Sequence, residues 1–90
     1  MTPVEEIGIT LAELSTLGGD DFLIRGAWAL FLQGSRDPLP SIAEVQLGPV
    51  SYAAIRDRWE VIPGDLFAVI KTPLGGEVRL FVTEHSARII

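Results

Sequence analysis

The sequence predicts an α+β fold, made of an N-terminal helical hairpin, a further helix and a C-terminal β-hairpin that pack as one small domain. Apolar side chains recur at helical spacing near the N-terminus, whereas they alternate with polar ones near the C-terminus. The chain has 90 residues, which leaves room for one domain over residues 1–90 and for no second core.

The first helix is predicted over residues 3–17. Thr2 and Glu5 form a T-x-x-E capping box, and Pro3 suits the first helical position. Gly18-Gly19 ends the helix. One face of this helix is apolar and consists of Val4, Ile7, Leu11, Leu14 and Leu17.

The segment DFLIRGAWALFLQ, from Asp21 to Gln33, is predicted as the second helix. Asp20 or Asp21 can cap it and Gly34 can end it, whereas a strand would be interrupted at Gly26. The short Gly-Gly-Asp link then makes the two helices an antiparallel hairpin. The apolar run is too short for a membrane span, which needs roughly 20 residues.

Residues 41–47 (SIAEVQL) fit two structures equally well. Ser41 and Glu44 could form a second capping box, which favours a short helix. The alternation of Ala43, Val45 and Leu47 with polar residues is typical of a strand. Residues 49–61 are predicted to be helical, capped by Ser51, with an apolar face formed by Tyr52, Ile55 and Trp59.

The C-terminal hairpin is predicted from strands over 66–71 and 77–83. The turn between them contains Pro73 and Gly75-Gly76, and the two glycines are expected to supply the positive φ angles of the turn. Val78, Leu80 and Val82 alternate with polar residues. Phe81 lies on the otherwise polar side, which indicates that part of that side is covered.

The composition argues against several kinds of chemistry. The chain lacks cysteine and has one histidine, His85, so no thiolate nucleophile or multi-histidine metal site can form within it. His85 is interpreted as a solvated terminal residue rather than a general base. There is no G-x-S-x-G elbow, phosphate loop or dinucleotide fingerprint. We therefore expect no enzyme activity, cofactor or metal.

An excess of apolar residues indicates a protein partner. The apolar share is 48% and the mean hydropathy is +0.36, and a small domain cannot bury every face of such a helix. Arg25 is expected either to extend outward to solvent or, where its surroundings are dry, to pair with a carboxylate of the same chain or of a partner. The predicted interface residues are Trp28, Phe31, Leu32, Trp59, Phe81 and Arg25. The predicted function is therefore a non-catalytic assembly subunit, as a homo-oligomer or in a larger particle such as a virus structure.

Two other functions compete with this prediction. If 41–47 and 49–61 are both helical, they resemble a helix-turn-helix with the hairpin as its wing, and Arg56, Arg58 and Lys71 would contact nucleic acid. The net charge of −5 and Asp57 between the two arginines argue against a nucleic-acid partner. The third possibility is a small enzyme whose site forms between chains. The acidic N-terminus indicates no secretion signal, so a cytoplasmic or virion-associated location is expected.

Overall fold

The computed structural model describes residues 1–83, which form a four-stranded mixed sheet and three helices. The strand order is β1-β2-β4-β3; the central pair is parallel and the two outer pairs are antiparallel. The α+β class and the C-terminal hairpin are thereby confirmed. The elements are α1 (Pro3–Leu17), β1 (Leu23–Arg25), α2 (Gly26–Leu32), β2 (Ile42–Leu47), α3 (Pro49–Arg56), β3 (Ala68–Lys71) and β4 (Glu77–Val82).

The two faces of the sheet differ because side chains alternate along each strand. One face, the core face, packs against α1 and α3 and supplies the buried residues of the strands. The other face, called the open face here, carries no buried side chain. Core-face residues are Ala43, Val45, Leu47, Ala68, Ile70, Val78 and Leu80. Open-face residues are Leu23, Arg25, Ile42, Glu44, Gln46, Val69, Lys71, Glu77, Arg79 and Phe81, with Phe67 just before β3.

Helix α1 has the predicted bounds and the predicted cap. The Thr2 hydroxyl accepts a hydrogen bond from the Glu5 backbone N–H at 3.1 Å, and Glu5 Oε1 accepts one from the Thr2 N–H at 2.8 Å. Pro3 begins the helix and Gly18 is its C-cap residue. In its apolar stripe Ile7, Leu11 and Leu14 are buried in the core, whereas Val4 and Leu17 at the two ends are partly buried.

The second helix begins later than the sequence predicts. Leu23 to Arg25 form the edge strand β1, which pairs with Gln46 to Glu44 of β2. Gly26 then adopts a φ of 69°, which turns the chain out of the sheet and into α2. The two N-terminal helices are present, but a strand follows the Gly-Gly-Asp link before α2 begins.

Asp21 does not cap α2, whose N-cap residue Arg25 makes no side-chain capping bond. The Asp21 carboxylate instead accepts a hydrogen bond from the Ser51 hydroxyl at 3.2 Å. The Ser51 hydroxyl in turn accepts a hydrogen bond from the Gly19 N–H at 3.0 Å. Ser51 lies in the first turn of α3, where the helix dipole favours a carboxylate. The N-cap residue of α3 is Gly48, and not Ser51 as the sequence predicts.

Residues 42–47 form a strand, which resolves the two alternatives left open by the sequence. The apolar residues predicted to face inward, Ala43, Val45 and Leu47, are all buried. Helix α3 ends at Arg56, earlier than the predicted residue 61, and Asp57 is its C-cap residue. Ile62 then pairs with Val69 on the outer side of β3 through two backbone hydrogen bonds, of 2.8 and 2.9 Å.

The two glycines of the hairpin turn have different roles. Gly75 has the predicted positive φ, at 100°. Gly76 has no positive φ but is buried, and a Cβ there would lie 2.7 Å from both Ile7 Cδ1 and Thr72 Oγ1. Strand β3 begins at Ala68 rather than at residue 66, because the hairpin register starts where Ala68 pairs with Leu80.

Candidate functional site

An apolar concavity lies between the first two helices, and we call it the α1–α2 groove. Its volume is about 380 Å³. Seven of its eight lining residues are apolar or glycine, and Ser15 is the exception. The groove is lined by Gly8, Leu11, Ala12, Ser15, Ile24, Trp28, Phe31 and Leu32. It could hold an apolar side chain of a partner.

Exposed apolar side chains extend the groove along α2. Phe31 is 44% exposed and Leu32 is 63% exposed, and both are among the residues that the sequence predicts at a partner interface. A shallower depression continues from Leu32 to Phe22 and Leu23, and Leu23 is itself more than half exposed. A contiguous apolar surface of this kind is typical of a binding site on a small domain.

Trp28 was predicted on the partner surface, but it belongs to the core. It is 6% exposed, and its indole N–H donates to the Pro40 carbonyl at 3.2 Å. Its ring packs edge to face with Phe31 at 6.0 Å. The buried indole of Trp28 therefore forms the floor of the α1–α2 groove. Phe31 and Leu32, which are exposed, lie at the surface of the groove.

Phe81 and Arg25, also predicted at the interface, lie together on the open face. The Arg25 guanidinium stands 4.6 Å from the centre of the Phe81 ring. Phe81 packs against Phe67 at 5.2 Å, and Arg79 covers Phe67 at 4.9 Å. Arg25 thus has an aromatic partner, and within residues 1–83 it forms no salt bridge with a carboxylate.

The position of Phe67 beside Phe81 could be predicted from the alternating sequence of the hairpin. Pairing Lys71 with Glu77 across the turn places Phe67 opposite Phe81 on the same side. This pairing also explains why Phe81 lies on an otherwise polar side of β4. Leu23 carried no comparable signal, because its exposure depends on the position of β1 at the sheet edge.

Glu77 connects two cations on the open face. Its carboxylate contacts Arg79 Nε at 2.6 Å and Lys71 Nζ at 3.6 Å. The hydrogen bond from Arg79 and the charges of both cations hold the pKa of Glu77 below its ordinary value, against a smaller opposing effect of burial. Lys71, predicted as a nucleic-acid contact, is thus already paired with a carboxylate.

Replacing Glu77 with glutamine tests this ion pair through its pH dependence. Because the native pKa is lowered, the stabilisation is present above the unfolded pKa of Glu and is lost as pH falls through the native value. We expect E77Q to lower the free energy of unfolding by about 1 kcal/mol at pH 7 and by a smaller amount at pH 3, below the unfolded pKa of Glu. Urea titrations at both pH values measure this, with the exposed Glu60→Gln as control. A deficit of equal size at both pH values would contradict the assignment.

The other predicted residues lie near the end of α3. Trp59 is half-buried against the core and borders a separate hollow with Glu13 and Arg58. Arg56 and Arg58 are exposed, and the Arg56 guanidinium lies 5.6 Å from the Tyr52 ring centre. Lys71 lies on the open face, whereas α3 packs on the core face, so the three cations do not form one patch. The helix-turn-helix layout does not form, because residues 42–47 are a strand.

Residues 1–83 bring together no group of three His, Asp or Glu side chains that could hold a metal ion. His85 lies outside the described residues. No helix in the described part of the chain is long and apolar enough to cross a membrane. No family model, curated protein or solved structure matches the sequence.

Proposed function

We propose that this chain is a non-catalytic assembly subunit that binds a second protein subunit through the α1–α2 groove. One observation carries the proposal: of the seven residues of α2, only Trp28 is buried. The helix still presents Leu30, Phe31 and Leu32 to solvent, each more than 40% exposed. The sequence of α2 is thus more apolar than the isolated domain requires.

The energetics of the groove suit a protein partner. Full burial of a leucine or phenylalanine side chain stabilises a complex by about 1.5–3 kcal/mol. Phe31 and Leu32 are adjacent at the groove, so one partner element can cover both. The partner that we propose is another copy of the chain, which makes the protein a homo-oligomer. The same contact could join it to further subunits of a larger particle.

Leu32→Asp is the variant that tests the role of the groove. Leu32 is 63% exposed, so a carboxylate there stays hydrated in the free domain but would be desolvated in an interface. We expect L32D to remain folded and to weaken self-association at least a hundredfold. Light scattering after size exclusion, over a series of concentrations, measures this.

Val50→Asp is the matched control. Val50 is 84% exposed and lies in the first turn of α3, outside both the groove and the open face, so the same change of charge should leave self-association within about twofold of the unmodified chain. Circular dichroism shows whether both variants are folded. If L32D and V50D associate equally well, the groove is not the interface.

A further inference from the structure

The open face differs in charge from the rest of the domain. It carries three cations, Arg25, Lys71 and Arg79, against two carboxylates, Glu44 and Glu77. Residues 1–24 contain five carboxylates and no lysine or arginine. The chain as a whole has a net charge of −5, so the slightly positive open face is an exception.

The α1–α2 groove belongs to the acidic part of the chain. Residues 8–15 of α1 form one of its walls. Glu5 precedes Gly8 and Ala12 by three and seven residues, so all three lie along one side of the helix, and Glu5 is exposed. Asp20 is also exposed and lies two residues before Phe22, at the β1 end of the apolar surface. The groove therefore combines an apolar floor with acidic surroundings.

The open face offers the complementary chemistry. Phe67 and Phe81 form an aromatic pair, and the guanidinium groups of Arg25 and Arg79 lie over the two rings. Arginine and aromatic side chains are enriched at the centres of protein interfaces. Arg25 has no salt bridge within residues 1–83, so its charge is available to a partner carboxylate.

We propose that the open face of one copy binds the α1–α2 groove of a second copy, so that the subunits associate head to tail. This inference rests on the proposed function and adds the surface that occupies the groove. Groove-to-groove contact would bring the acidic segments of two copies together, and contact between two open faces would bring their arginines together. Joining two different surfaces avoids both repulsions. Repeated contacts of this type form a ring when the rotation closes and a filament when it does not.

Mixing two variants tests the head-to-tail contact. Leu32→Asp disables the groove but keeps the open face. The double variant Arg25→Gln with Arg79→Gln removes both guanidinium groups but keeps the groove. We expect each variant alone to be monomeric at a concentration where the unmodified chain associates. An equimolar mixture should form a 1:1 heterodimer, with the open face of L32D bound to the groove of the double variant.

Light scattering and sedimentation velocity distinguish the outcomes. If the double variant still associates alone while L32D does not, the groove binds another surface; the head-to-tail inference fails and the proposed function stands. A mixture that stays monomeric also overturns the inference. If the unmodified chain is monomeric throughout, the proposed self-association fails as well. Arg25→Gln alone replaces the double variant if the latter does not fold, and it should weaken association at least tenfold.

Discussion

Replacing Trp28 with alanine is expected to lower the free energy of unfolding by about 3–5 kcal/mol. The indole is 6% exposed and is the one buried side chain of α2, so its removal leaves a cavity between α2 and α1. The variant also leaves the Pro40 carbonyl without its indole donor. A domain of this size has only about 5–10 kcal/mol of stability, so W28A should be close to unfolding at 25 °C.

Urea denaturation followed by far-ultraviolet circular dichroism measures this loss without relying on tryptophan fluorescence. Trp28→Phe is the informative companion, because it keeps a ring in the core and removes the hydrogen bond to Pro40. We expect W28F to fall between the unmodified protein and W28A. Phe31→Ala, at a partly exposed position of the same helix, should cost less than W28A. Equal losses for W28A and F31A would contradict the placement of Trp28 in the core.

Alanine at Gly76 is expected to destabilise the domain by about 1–3 kcal/mol, the range typical of overpacking. The added methyl group would lie 2.7 Å from both Ile7 Cδ1 and Thr72 Oγ1. Ile7 is fully buried and cannot move without disturbing the core. Thr72 Oγ1 also accepts a hydrogen bond from the Gly76 N–H at 2.8 Å, so its displacement would break that bond.

The same substitution at Gly8 is expected to have the opposite sign. Gly8 lies inside α1, where alanine has a helix propensity about 1 kcal/mol more favourable than that of glycine. A Cβ at this position would lie 3.6 Å from the Trp28 ring, which is an ordinary van der Waals contact. G8A should therefore raise the free energy of unfolding by about 0.5–1 kcal/mol. Thermal and urea unfolding of both variants test the pair, and destabilisation by G8A would contradict the packing of α1 on Trp28.

The parts of the fold that depend on local signals could be predicted from the sequence. The capping box at Thr2 and the glycines after Leu17 define α1, and the alternation around Gly75 defines the hairpin. Residues 42–47 carry both a capping box and an alternating pattern, so local information could not decide between helix and strand. The decision comes from pairing with β4, whose partner residues lie 35 positions further along the chain. Strand β1 is only three residues long and likewise depends on β2.

The exposure of the residues in the proposed interaction surfaces could be predicted in part, but their arrangement could not. A helix as apolar as α2 must leave some side chains exposed, which is why Phe31 and Leu32 could be identified. The face that the helix buries depends on how it docks beside α1, and the sequence did not indicate that Trp28 would be the buried residue. Arg25 in β1 and Phe81 in β4 come close because these two strands flank β2 in the sheet. Such a contact has no local sequence signal.

The most direct test of the account is the mass of the unmodified chain in solution, measured by light scattering from micromolar to millimolar concentration. Exposed Phe31 and Leu32, together with the aromatic and cationic open face, predict a species at least twice the mass of the 9.8 kDa chain. Its mass should increase with concentration if the head-to-tail contacts do not close into a ring. A mass that stays at that of one chain over the whole range would contradict the proposal that this protein assembles with itself.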